Sequence, residues 1–205
     1  MSWIPPGRNC GACGRESCVT FINDVQKGIC RESDCPFYKT DFSTDSISCT
    51  PYQDTDFLGN PVEFVLQSLP GEVSARKLLL PFRPDLVEKW EIRPGDTITG
   101  RPMGAGCPVQ HVLQVISASY ISGVITCHVV GPAHSRGKEV KDLEAYHMIG
   151  FEGIAIPILK EPEFGKRMQF LPEFCMMNIA HTGVVNMVLG TKAGLHIRVE
   201  DIRLS

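Results

Sequence analysis

The feature that most constrains this chain is the spacing of its first cysteines. The stretch "RNCGACGRESC", residues 8 to 18, puts three thiols into nine positions, and Cys35 completes the series Cys10-x2-Cys13-x4-Cys18-x16-Cys35, with Pro36 directly after it. Six of the nine cysteines, at 10, 13, 18, 30, 35 and 49, fall in the first 49 residues, while Cys107, Cys127 and Cys175 are scattered through the rest. An odd count clustered in this way argues for metal ligation by reduced thiols and against a disulfide framework.

Local chemistry brings the fourth thiol back to the other three. Ser17 is a good N-cap, Val19, Ile22 and Val25 fall near one helical face, and Gly28 is a natural C′ stop, so a helix over residues 17 to 27 followed by a return loop is expected. Four thiolates suit a tetrahedral zinc or an iron-sulfur cluster. Structural zinc usually draws its cysteines from two similar knuckles, whereas a tight group of three joined by a distant fourth is the arrangement of a [4Fe-4S] cubane. Gly11 and Gly14 favour the cluster, because glycines let the loop reach positive φ and turn backbone N–H groups toward sulfur. Cys30, five positions before Cys35, is the alternate fourth ligand. A zinc-stapled scaffold or assembly module is the competing reading.

The segment "NCGACGRESCVTFINDVQKGIC...DCP" resembles the four-cysteine iron-sulfur domain of the corrinoid iron-sulfur protein large subunit and of the B component of Rnf-type electron-transport complexes. The resemblance rests on Cys10, Cys13, Cys18 and Cys35, the intervening glycines, Phe21 and the Cys35-Pro36 step, and it covers about residues 5 to 37. It implies a [4Fe-4S] cluster on those four cysteines.

Residues 38 to 61, rich in Ser, Thr, Asp and Pro, are expected to form a linker between a cluster module (1–37) and a β-rich, barrel-like domain (62–205). Short β-branched runs punctuated by Gly and Pro dominate the larger region, so the fold class is α+β. Residues 111 to 119 and 124 to 130 read as a hairpin turning at Ser122-Gly123; "RPGDTITG", "FEGIAIPIL", "RMQFL", "GVVNMVL" and "GLHIRVEDIRL" supply further strands. Helix is expected at 17 to 27, as a short turn at Pro84 to Lys89, and over Glu139 to His147.

Within that domain, "RPMGAGCPVQH" places Gly104, Gly106 and Cys107 where backbone could approach a ligand closely, although Val109 breaks the dinucleotide-binding glycine pattern. These three are the candidate cofactor contacts, with flavin, corrin or a small substrate as the occupant and the cluster as its electron relay. Cys127 and His128, adjacent on a strand, point to opposite faces and cannot share one ion. Cys127 and Cys175 are expected as core residues, Met176-Met177 as apolar filling, and no catalytic role follows for His134, His147 or His181.

A formal charge of -3 without a Lys/Arg block points to no nucleic-acid partner, no apolar run reaches the roughly 20 residues of a membrane span, and no signal-peptide pattern opens the chain. The expectation is therefore a cytoplasmic, anaerobic electron-transfer protein or oxidoreductase component, not inserted in a membrane, docking to a redox partner protein.

Overall fold

The computed structural model describes residues 4, 5, 7, 9, 11, 13–35, 38 and 52–204. Cys10, Cys49, Pro36 and most of the expected linker lie outside the described residues. The N-terminal helix α1 (Cys18–Gln26) forms where its caps predict: Ser17 Oγ accepts the Thr20 N–H at 3.1 Å, and beyond the C-cap the Ile29 N–H returns to the Asp24 carbonyl at 2.8 Å. Its buried residue is Phe21, 1% exposed, whereas Val19 of the expected apolar row stands 60% exposed. A 3-10 turn at Glu32–Asp34 then leads to Cys35.

The larger region is mostly sheet: β1 (Phe64–Gln67), β2 (Arg76–Pro81), β3 (Thr97–Met103), β4 (His111–Ala118), β5 (Ile125–Val130), β6 (Val140–Pro157), β7 (Arg167–Pro172), β8 (His181–Thr191) and β9 (Gly194–Leu204). A short helix α2 (Asp85–Lys89) follows β2, at the site of the expected turn. The strand order is β1-β7-β8-β9-β6-β2-β5-β4-β3, with β1 and β3 each also pairing with β6. The expected barrel is corrected here: the nine strands form no single closed barrel. They turn back on β6 from both ends, giving two lobes. The cause is the length of β6, 18 residues, which lets its first part pair with β3 and β2 and its last part with β9 and β1.

The first part of β6 also corrects the helix expected over Glu139 to His147. Leu143 and Tyr146, three apart, are both buried, a spacing that mimics a helical face. In the sheet this spacing arises from a bulge: between Asp142 and Ala145 β6 carries one residue more than β3 does between Thr99 and Arg101, and Glu144 takes φ 60°. The hairpin expected from residues 111 to 130 forms as β4–β5, and "GLHIRVEDIRL" is β9 from its first residue to its last.

The main core fills the space between the sheet faces with Leu79, Ile98, Leu113, Ile125, Tyr146, Phe151, Phe170, Val185 and Ile197 among its members. Burying an aliphatic or aromatic side chain of this size is worth about 1.5–3 kcal/mol, so this cluster fixes the register of the strands.

Candidate functional site

The thiol loop is held to the β-region by one buried amide. Asn9, 4% exposed and at φ 47°, donates from Nδ2 to the Val73 carbonyl at 3.0 Å and accepts the Cys18 N–H on Oδ1 at 2.7 Å. A single side chain thus satisfies an open N–H at the start of α1 and anchors it to the segment before β2. Gly11 and Gly14 both take positive φ, 73° and 78°, and the Gly14 N–H closes a turn on the Gly11 carbonyl at 2.8 Å with Cys13 inside it. Gly11 is required twice over, since a Cβ there would sit 2.4 Å from the Cβ of Ala133, in the 3-10 turn Pro132–Ser135. Gly7 lies against the Glu173 side chain.

Cys13 and Cys18 are half-buried and Cys35 is buried. Cys30 turns its Sγ toward the Phe21 carbonyl of α1 at 3.9 Å, and Arg15 pairs with Asp24 beside it. The seven described cysteines form no disulfide, and among the described residues no three His, Cys, Asp or Glu side chains gather as ligands of a metal ion. The fourth sequence-predicted thiol, Cys10, lies outside the described residues. The donor set fits an iron-sulfur cluster in its chemistry: soft thiols on a loop whose two glycines take positive φ.

A second feature lies inside the β-rich region. A cleft is walled by Phe151, Phe174, Met176 and Met177 and carries Cys107, His111, Cys175 and His181 among its lining residues. Behind His111 sits Lys77 of β2, 1% exposed, its Nζ 2.6 Å from His111 Nδ1. The Tyr146 hydroxyl of β6 reaches the same Nδ1 at 3.0 Å, and the Lys77 ammonium lies over the Tyr146 ring at 4.9 Å. Gly100 of β3 makes room for that ring, which passes 3.0 Å from where a Cβ would be.

Burial lowers the Lys77 pKa to about 8, the thiols of Cys127, Cys107 and Cys175 acting weakly the other way. Burial, with Lys77 and His181 adding to it, depresses His111 to about 2. Burial likewise takes His181 down to about 4 and holds Tyr146 well above its usual value. At neutral pH the cluster is therefore Lys⁺ beside two neutral imidazoles and a neutral phenol. With a Lys N–H and the Tyr O–H both converging on Nδ1, the hydrogen-bond network assigns His111 the tautomer with its proton on Nε2, the nitrogen 3.9 Å from Cys107 Sγ. His181 donates from Nδ1 to the Ile179 carbonyl at 3.0 Å, leaving Nε2 as an acceptor.

Of the three residues expected to contact a cofactor, Cys107 lines the cleft, while Gly104 and Gly106 are not among its lining residues. Their loop is tied instead to the end of β9, where the Leu204 N–H meets the Ala105 carbonyl at 2.8 Å. Cys127 is fully buried, facing the Lys77 carbonyl at 3.4 Å and pushed up to about 12 by burial, whereas His128 on the opposite face pairs with Glu72. Lys77 and Tyr146 do not stand out in the sequence, Cys175 and the two methionines read there as packing, and no catalytic role follows there for His181. The one signal present was a lysine within the apolar run "RKLLLPF", in phase with buried Leu79.

The comparisons support an iron-sulfur domain at the N-terminus, ahead of a mainly β region. Residues 6–37 match the family model described as "Putative Fe-S cluster". The chain is 33% identical over 213 aligned positions to "Uncharacterized protein MJ0119" of Methanocaldococcus jannaschii, the alignment covering 95% of this chain and 90% of that protein. The chain belongs to the same family as that protein. No solved structure matches it. Among the described residues, no helix is long and apolar enough to cross a membrane.

Proposed function

We propose that this chain is a cytoplasmic iron-sulfur electron-transfer protein or subunit, holding one [4Fe-4S] cluster on Cys10, Cys13, Cys18 and Cys35. The observation that supports the reading is the thiol spacing on a loop with two positive-φ glycines, within the segment that matches an iron-sulfur family. Such a cluster, when bound, supplies one-electron transfer at a potential set by burial and by hydrogen bonds to its sulfurs. The protein's own contribution is to position: Asn9 fixes the start of α1 and with it Cys18, and Gly11 lets the loop lie flush on Ala133. Cys30, whose sulfur lies 3.9 Å from the Phe21 carbonyl, is the alternate fourth ligand. With four protein ligands the iron has no open position, which favours electron transfer to a docked redox partner protein over chemistry at the metal.

The test is electron transfer by anaerobically purified protein against its Cys10→Ala and Cys18→Ser variants. Loss of the cluster together with loss of electron delivery to candidate partners is expected; cluster loss with unchanged delivery would refute the reading. A second reading makes the chain a redox enzyme or subunit whose β-domain binds flavin, corrin or a small substrate. It is favoured by the cleft and by the thiol loop packing on Ala133 and Glu173, next in sequence to the cleft-bordering segments that hold Val129 and Phe174. Visible absorption of bound flavin or corrin beside the cluster band in the purified protein would carry it.

A further inference from the structure

Lys77 presents an energetic problem that the cluster does not answer. Its ammonium is buried, and no Asp or Glu among the described residues forms an ion pair with it. Its neighbours are neutral: His111, the Tyr146 ring and the Phe151 ring at 5.8 Å. A buried cation is ordinarily matched by an anion or neutralised. Here the charge sits one imidazole away from an open cleft. Lys77 donates to His111 Nδ1, which commits the opposite N–H of that ring to the side of Cys107, a lining residue.

We propose that the cleft binds a small molecule with a carboxylate on a mostly apolar body, the carboxylate taking the His111 Nε2–H and matching the charge of Lys77 behind it. His111 touches the ligand; Lys77 is a positioning residue that acts through it. The commitment to a carboxylate follows from the donor inventory. One N–H and one buried positive charge suit a monoanion, whereas a phosphate dianion calls for several donors or a bidentate guanidinium, and among the described residues the cleft lining contains no arginine. The apolar body follows from the walls, Phe151, Phe174, Met176 and Met177. His181, held neutral with Nε2 as acceptor, accommodates a hydroxyl or amine on the ligand and repels a second carboxylate. The described lining residues, from Cys107 to Leu204, all lie outside the thiol segment, so the test does not depend on which metal the thiols hold.

Cys107 provides the reporter. The probes are iodoacetate and iodoacetamide, which alkylate the same thiolate: the S–C bond forms as iodide leaves, and only the charge of the reagent differs. Cluster-loaded full-length protein is treated anaerobically with each reagent, and the rate at Cys107 is read by peptide mass mapping, with glutathione as the reference thiol. The ratio of iodoacetate to iodoacetamide rates is expected to exceed that of glutathione by about tenfold. It should return to the glutathione value in Lys77→Met and in His111→Phe, either variant sufficing if the other does not fold. A wild-type ratio no higher than glutathione's would overturn the proposal, as would a raised ratio that survives in the folded variants. Failure of both reagents to reach Cys107 while glutathione reacts would also overturn it, by showing the cleft closed to small molecules.

Discussion

Replacing Lys77 with methionine should stabilise this protein at neutral pH, and the size of the gain should fall as the pH rises. The lysine is 1% exposed and its pKa drops from 10.5 to about 8, with burial the main cause. A base whose folded pKa lies below its unfolded value binds fewer protons when folded, so its penalty is complete below about pH 8 and is relieved between there and 10.5. The displacement corresponds to about 3 kcal/mol at pH 7 and about 1.5 kcal/mol at pH 9.5. Methionine fills most of the same volume without a charge, and His111 Nδ1 still accepts from Tyr146, so no buried acceptor is orphaned. Denaturant titrations of wild type and variant, run under argon at both pH values, give the difference directly. A variant more stable by about 2–3 kcal/mol at pH 7, with the gap roughly halved at pH 9.5, is expected. A variant less stable than wild type at pH 7, with a gap independent of pH, would refute the view of Lys77 as an uncompensated buried charge.

Three further outcomes follow from the same geometry. His111 and His181, with folded pKa values of about 2 and about 4 against 6.5 unfolded, bind protons only in the unfolded chain as pH falls below 6.5. Stability should therefore drop by about 4 kcal/mol between pH 7.5 and pH 5, most of it recovered in a His111→Gln/His181→Gln double variant; a flat profile in wild type would contradict their burial as neutral rings. Gly11→Ala should lift the thiol loop from the β-domain, through about 1–2 kcal/mol of left-handed strain and the clash with Ala133. Adding Ala133→Gly should restore amide-exchange protection only in part, because it removes the clash and leaves the strain. Cys30→Ser should keep the full iron and sulfide content and Cys35→Ser should lose it; the reverse pattern would exchange their roles.

What could be read from sequence was what lay close together in sequence. The thiol series, the Ser17 cap and the Gly28 stop span a few turns of chain, and the hairpin of β4 and β5 is set by alternation around one turn. The first part of β6 was opaque because a bulge at Glu144 gave Leu143 and Tyr146 a helical spacing that only pairing with β3 explains. The cleft was opaque for a related reason: Lys77, His111, Tyr146 and His181 lie on four different strands and meet through register. Glycine patterning drew attention to Gly104, Gly106 and Cys107 together; of these Cys107 lines the cleft, in a loop tied by the Leu204 N–H to the Ala105 carbonyl. On α1 the expected apolar row was only partly right: Val19 stands 60% exposed, Ile22 and Val25 are half-buried, and Phe21, outside that row, is the buried residue.

The central claim, that the N-terminal thiols hold an iron-sulfur cluster, is tested most directly by metal content. Iron, acid-labile sulfide, zinc and flavin are assayed on protein purified without air, with an EPR spectrum before and after dithionite. The account predicts about four iron and four sulfide per chain and a signal that develops on reduction. Stoichiometric zinc with no labile sulfide and no signal would contradict it and leave the module a structural staple.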